Sequence, residues 1–319
     1  MHRIEHLARE RVELREAEGP EPLTPDRIRS RTLCTLVSPG TELACCYQGE
    51  KFPSVSGYAA VCEVLEAGGE AREFSAGDTV FCMRPHQSLQ CSKRDWTWKV
   101  PKGLPPEVAL LSRLMNVSMT TLVDTSARPG DKVLVTGLGP VGYLGAELFR
   151  ASGYEVTVCD PDERRLRMAR ERGYERAFRD LADAAPGEDF ALVLECSGRE
   201  EAAVEGARRV RRKGEVVLVG VPWRQRAEIN VFRLLEPVFH RYATVRGGWE
   251  WSLPQVGDDN HPYSIRRNLD LCLDWLAKGL VRHEGLSRVF DPKDCQAVYQ
   301  GHLYGTHEHL FSIFDWRSY

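Results

Sequence analysis

Residues 130–160, GDKVLVTGLGPVGYLGAELFRASGYEVTVCD, limit what this chain can fold into more than any other stretch. Lys132–Thr136 is a short apolar run rich in β-branched residues, the pattern of a strand covered on both faces. Gly137-Leu-Gly139-Pro-Val-Gly142 follows without a spacer, and Tyr143–Ala151 then has helical spacing and stops at Gly153. A second apolar run, Glu155–Cys159, ends on Asp160. Each piece has a task in holding a dinucleotide. Gly137 allows a tight turn, Gly139 lets the backbone approach a pyrophosphate, and Gly142 brings helix and strand together. The helix start offers N–H groups and a positive dipole end. A carboxylate closing the second strand accepts hydrogen bonds from ribose hydroxyls and repels a 2′-phosphate, so Asp160 favours NAD(H). A glycine triplet alone is a weak signal, but flanked by strand, helix and acid it is specific.

The remaining composition narrows the class. A length of 319 residues suggests two domains with substantial cores. Basic and acidic residues nearly balance, 43 against 46, with no basic stripe, so nucleic acid is not an expected partner. The arginine runs at 164–172 and 208–212 alternate with apolar residues and read as solvated helix faces. No apolar run approaches a membrane span, and MHRIEHLARE is too polar for a signal peptide, so no membrane association and a cytoplasmic location are expected. The ten cysteines are scattered without a CxxC pair and are expected to be free thiols.

Taken in order, the chain begins with short alternating segments (Val12–Glu16, Arg29–Val37, Tyr58–Leu65, then Gly77–Cys82) between Gly and Pro turns, which predicts a small antiparallel barrel. Pro106–Leu122 is helical and apolar. Strands and helices then alternate, with further buried strands predicted at Phe190–Cys196, Glu215–Val221 and Thr244–Gly248. Asn268–Lys278 reads as an amphipathic helix closed by Gly279. A helix is predicted at Pro292–Gln300, and the tail ends on a strand, Glu308–Phe314.

This order resembles the medium-chain dehydrogenase/reductase superfamily, the group of the zinc-type alcohol dehydrogenases. The residues that carry the likeness are PGTEL (39–43), GYAAVCEVLEAGG (57–69), FSAGDTVF (74–81), the glycine turn, the run from Arg165 to Gly173, and LVLECSG (192–198). The resemblance implies an α/β chain with a GroES-like antiparallel β-barrel catalytic domain (1–114 and 263–319). Inserted in it would be a Rossmann doubly wound parallel-sheet domain (115–262), with substrate in the cleft between the two. It implies NAD(H) contacts at Gly137, Gly139, Pro140, Val141, Gly142, Asp160, Arg165, Cys196, Ser197, Gly220, Val221 and Gly247. A homodimer is also implied, with Gly247–Ser252 near the nicotinamide and the dimer contact.

The departures are informative. The three positions that hold catalytic zinc in the family are here Pro39, Tyr58 and Arg113, and the lobe for a second zinc is missing, so no metal is expected. Thr41 matches the hydroxyl that passes a proton from the substrate alcohol; otherwise it is a turn residue. Tyr58 offers a phenol to a substrate oxygen, or merely fills the space of the former ligand. His86 falls on the segment that lines the substrate pocket in the family and is a candidate acid/base, against the plainer role of a structural histidine. Arg113 would put a permanent charge where zinc stood, or fold inward as an ion pair. Glu42 is expected to orient Arg84 or Arg113. His302, His307 and His309 flank a glycine turn, and the His-x-His pair offers two metal ligands or faces solvent.

The sequence therefore predicts a zinc-independent NAD(H) oxidoreductase interconverting a secondary alcohol and a ketone on a small polar molecule. The tryptophans at 249 and 251 lean this towards a polyol or sugar derivative. Rival readings are an NAD(P)H reductase of activated C=C bonds, a relative acting on a large macrocycle in bacteriochlorophyll synthesis, and a silent dinucleotide-binding protein.

Overall fold

Lys132–Thr136 sits inside a six-stranded sheet in which every pairing is parallel. The strand order is Ala177–Phe178, Glu155–Cys159, Lys132–Thr136, Phe190–Glu195, Val210–Leu218, Thr244–Gly247. That order, counted from the first strand outwards in both directions, is the doubly wound arrangement. All six residues of Phe190–Glu195 are buried, as a strand covered on both faces requires. Leu134, Phe190, Val193, Val210 and Val216 form one core cluster on this sheet. The computed structural model describes residues 1–183 and 189–319.

The chain divides into two units. One comprises Met1–Arg113, Leu269–Gly279 and His283–Tyr319; the other comprises Leu114–Asn268 and Leu280–Arg282. Residues 263–268 stay with the nucleotide unit because Ile265 and Arg266 donate their backbone N–H groups to the carbonyls of Pro254 and Gln255, both at 3.0 Å.

The first unit is built on the long strand Arg27–Leu36, which pairs antiparallel with Ala60–Ala67, Leu89–Lys93 and Phe311–Asp315. Thr79–Cys82 and Thr97–Lys99 extend that sheet on one side, and Ser287–Phe290 adds a parallel strand on the other. The N-terminus forms a hairpin, His2–Ala8 with Arg11–Glu16, where the sequence predicted only the alternating segment Val12–Glu16. A short strand, Ser54–Val55, pairs with it. Ile4, Val37, Tyr47, Tyr299, Phe314 and Trp316 share a core beneath the hairpin.

The helix predicted over Pro106–Leu122 is two helices, Pro106–Ala109 and Ser112–Asp124. The break falls where Leu111 and Arg113 donate to carbonyls three residues back, tightening the turn. Among the described residues no helix is long and apolar enough to cross a membrane.

Candidate functional site

In the nucleotide unit, the glycine turn joins strand Lys132–Thr136 to helix Pro140–Ala151, which has Gly139 as its N-cap residue and Pro140 at its first position. Gly137 has φ +83°, and a Cβ there would stand 2.9 Å from the Ser197 nitrogen. A Cβ on Gly142 would stand 1.8 Å from the Gly137 carbonyl oxygen, so that glycine is demanded by packing alone. Gly139 differs: its Cβ position meets nothing nearer than Arg165 Nη1 at 4.0 Å. The protein leaves that space open beside a helix N-terminus, where a pyrophosphate is favoured.

A cavity of about 820 Å³ opens there, lined among others by Gly137, Gly139, Asp160, Arg165, Cys196 and Ser197. Asp160 is 2 % exposed, and its Oδ2 accepts from the Leu138 N–H at 2.6 Å and from Arg165 Nη1 at 3.2 Å. Its Oδ1 accepts from the Asp162 N–H at 2.8 Å. Pro140 and Val141 form the first helical turn beside this cavity, while Gly220, Val221 and Gly247 follow or close the neighbouring strands at their carboxyl ends.

Sequence reasoning missed Glu195. This carboxylate, 1 % exposed, accepts from the backbone N–H of Ser197 at 2.7 Å and of Gly198 at 3.1 Å, and so holds the 196–198 loop against the glycine turn. Burial raises its pKa above the usual carboxylate range, against the pull of the Ser197 hydroxyl and these N–H donors. Burial, with the Glu195 charge, also drives the Cys196 thiol well up, so that this sulfur stays protonated.

In the first unit, helix Pro39–Glu42 carries Thr41 and Glu42. The structure brings Thr41, Tyr58 and Arg113 together. The Tyr58 phenol donates to Ser38 Oγ with the Thr41 hydroxyl close by, while the Arg113 guanidinium lies over the Tyr58 ring at 4.7 Å. Burial raises the phenol pKa, with Arg113 pulling the other way, so Tyr58 keeps its proton at neutral pH. Pro39, Tyr58 and Arg113 do not fit a zinc ion: one has no donor, and a permanent cation stacks on the only remaining candidate.

His86 is placed differently from expectation. It is 0 % exposed, with Nδ1 2.7 Å from Thr35 Oγ1 and Nε2 3.0 Å from Glu42 Oε2. Both ring nitrogens are occupied inside the core, so the imidazole does not face a pocket. Glu42 orients neither arginine. Its Oε1 accepts from the Ser38 N–H at 2.7 Å and its Oε2 from Tyr299 and His86, whereas Arg84 pairs with Glu21 at 2.8 Å.

The donors here have one consistent direction. A carboxylate only accepts and an indole N–H only donates. His86 therefore carries its hydrogen on Nε2 towards Glu42, and Trp316 Nε1 donates to Thr35 at 2.8 Å. On the other side, Tyr299 donates to Glu42, so Ser56 donates to Tyr299 at 2.8 Å and His6 Nε2 to Ser56 at 2.9 Å. Six side chains, those of His86, Thr35, Trp316, Tyr299, Ser56 and His6, thus converge on one buried carboxylate. Burial pushes Glu42 up, but His86 together with the Tyr299 and Ser38 donors outweighs it, leaving the carboxyl below its ordinary range. Ser38 touches both systems: its N–H donates to Glu42 and its hydroxyl oxygen accepts from Tyr58. No sequence signal pointed to His6, Ser56 or Tyr299.

Comparison with known proteins places these features. The model of the zinc-binding dehydrogenase family matches residues 140–255. The L-threonine 3-dehydrogenase of Pyrococcus furiosus is 31% identical over 163 residues, 48% of this chain and 47% of that protein, so this match spans about half the relative's length. The enzyme of the same name from Pyrococcus horikoshii is 26% identical over 75% of this chain and 81% of its own. Among solved structures, galactitol-1-phosphate dehydrogenase from Escherichia coli superposes with a TM-score of 0.83 at 15% identity, covering 99% of this chain and 100% of that one, a likeness of fold.

Proposed function

Because this chain belongs to the medium-chain dehydrogenase/reductase superfamily, in its zinc-type alcohol dehydrogenase-like group, we propose that it is a zinc-independent, NAD(H)-dependent oxidoreductase. Its reaction interconverts a secondary alcohol and a ketone on a small polar molecule. L-Threonine and galactitol phosphate, in the names of the similar proteins, both carry secondary alcohols, which supports that substrate class. One observation carries the mechanism: at positions that the resemblance gives to the family's metal ligands stands a protonated phenol, stacked under a guanidinium and donating to the Ser38 hydroxyl.

The open space at Gly139, the helix start at Pro140 and the Asp160 carboxylate suit a dinucleotide, which supplies or accepts the hydride when bound. The chain's own residues handle the proton. Tyr58 donates its hydrogen to the carbonyl oxygen in the reductive direction, and Thr41 and Ser38 re-protonate or orient the phenol. Arg113 stabilises negative charge on that phenol as the proton leaves. Glu42, His86 and Tyr299 act as positioning residues behind Ser38.

Arginines 165, 179, 199, 226 and 233 line the same nucleotide cavity. They favour a second reading, NADPH-dependent reduction of an activated C=C bond, since guanidinium groups bind a 2′-phosphate. Homodimerisation is supported by the exposed apolar face of helix Phe232–Arg241 (Phe232 64 %, Phe239 75 %) beside the edge strand Thr244–Gly247, and sedimentation velocity checks it.

The test is oxidation of NADH and of NADPH against a panel of polyol-derived ketones, quinones and enones. Turnover of a ketone, with NADH bound at least about tenfold more tightly than NADPH (~1.4 kcal/mol), is expected. Enone turnover with NADPH would establish the second reading, and no turnover of any member would leave a binding protein.

A further inference from the structure

The C-terminal part of the chain carries three histidines that the reaction above does not use. Helix Cys295–Tyr304 ends at Gly305, whose φ of 64° reverses the chain, and His302 lies on its last turn. His307 and His309 lie on the connection to strand Phe311–Asp315. Ring centroids are 4.6 Å apart for His302 and His307 and 4.4 Å for His307 and His309. One ring nitrogen from each of the three lies within 4.8 Å of the others.

Packing holds the rings there. A Cβ on Gly301 would stand 2.3 Å from His307 Cε1, so only glycine admits that imidazole against the helix. His307 Nε2 lies 2.9 Å from the Val298 carbonyl oxygen, which only accepts, so Nε2 carries the hydrogen and Nδ1 the lone pair. Ser312, 1 % exposed, places its Oγ 2.8 Å from His302 Nε2 and 2.7 Å from His309 Nε2. Each imidazole therefore has one nitrogen anchored by a protein oxygen, the outer arrangement that fixes ring orientation at metal sites.

We propose that His302, His307 and His309 form a transition-metal site for Zn²⁺ or Ni²⁺, which clips the end of helix Cys295–Tyr304 to the strand that follows. Three imidazoles with a water in the fourth position are a tetrahedral donor set suited to such ions. Zn–N bonds of about 2.0–2.1 Å put ligand nitrogens about 3.3 Å apart, so the present spread of 4.8 Å closes by about 1.5 Å, within reach of half-buried side chains. Arg288 opposes a cation, which weakens the site without changing its ligands. None of the three histidines belongs to the cluster around Tyr58 and Glu42.

The test uses the full-length chain, stripped with chelator and titrated with ZnCl₂ and NiCl₂ by calorimetry. One equivalent is expected in the unaltered protein, together with a rise in Tm. Binding should weaken at least about tenfold in His307→Gln and in His309→Gln, and roughly 10–100-fold in Ser312→Ala, the scale of losing an outer partner. Near-UV circular dichroism shows that each variant is folded. The exposed Cys45 and neighbouring Cys46 are the competing ligands. Binding should therefore survive thiol alkylation, and the Co²⁺-loaded protein should lack a thiolate charge-transfer band. No equivalent in the unaltered protein, an equivalent kept by both histidine variants, or a thiolate band in the Co²⁺ spectrum would each overturn the proposal.

Discussion

The nucleotide cradle and the Glu42 network solve opposite problems. The cradle is made from backbone: a glycine turn, a helix start and one carboxylate, contiguous in the chain and left open at Gly139. The network is made from side chains of residues 6, 35, 42, 56, 86, 299 and 316, closed to solvent and bonded to one another. An open cradle keeps space for a ligand, while a closed network spends its groups on one another and fixes the residues beside it. Five perturbations set the two against each other.

The largest effect is expected within the cradle. Gly142→Val forces a side chain onto a carbonyl 1.8 Å away and should leave no folded nucleotide unit by near-UV circular dichroism. Gly139→Val fills open space instead, so the fold should survive while NADH titration shows no saturable binding. If Gly139→Val binds NADH as the parent does, the cradle lies elsewhere.

Next is the network's centre. Glu42→Ala strands the His86, Tyr299 and Ser38 donors in the core. It should cost about 3–5 kcal/mol in all, from three buried donors left unsatisfied at about 1–3 kcal/mol each. That loss should appear as a drop in Tm of roughly 10 °C with NADH affinity retained. A drop under about 3 °C would mean that the network is not closed as described.

Acid probes the same network through His6, which burial holds at about 4 despite the raising effect of the Glu42 charge. Below an unfolded pKa near 6.5 the unfolded chain takes up a proton that folded His6 refuses, so stability present above pH 6.5 is lost as pH falls through 4. At about 1.4 kcal/mol per pH unit the loss reaches about 3 kcal/mol. His309 titrates in the same window, so the difference between the parent and His6→Gln in urea midpoints isolates His6. Equal slopes in the two proteins would remove His6 from the account.

The smallest effect joins the network to chemistry. Tyr58→Phe keeps the ring under Arg113 and removes only the hydroxyl bonded to Ser38. On the substrate found in the panel, kcat should fall by about 10²-fold, or ~2.7 kcal/mol, with KM little changed. An unchanged kcat would make Tyr58 a packing residue and leave Thr41 to carry the proton.

The errors made from sequence have a common cause. Thr41, Tyr58 and Arg113 were singled out by position in motifs, and all three meet. His86 was singled out in the same way, yet its ring turns inward. A motif fixes where a Cα lies along a strand or loop but not which side its side chain takes once Phe314 packs edge-on against the ring. Glu195 escaped notice because a carboxylate at the end of an apolar strand resembles ordinary strand termination. Only the fold shows two backbone N–H groups capping it.

What the sequence alone determined is the local machinery: strand, glycine turn, helix, strand and acid, each following from steric and periodic rules acting within a few residues. Tertiary structure decided which distant polar groups share a buried space. Tyr299 bonds Glu42 across 257 positions of chain, and no local pattern encodes such a meeting. Burial makes each unpaired donor costly, and so the partners are selected by the packing of the whole unit rather than by neighbours in sequence.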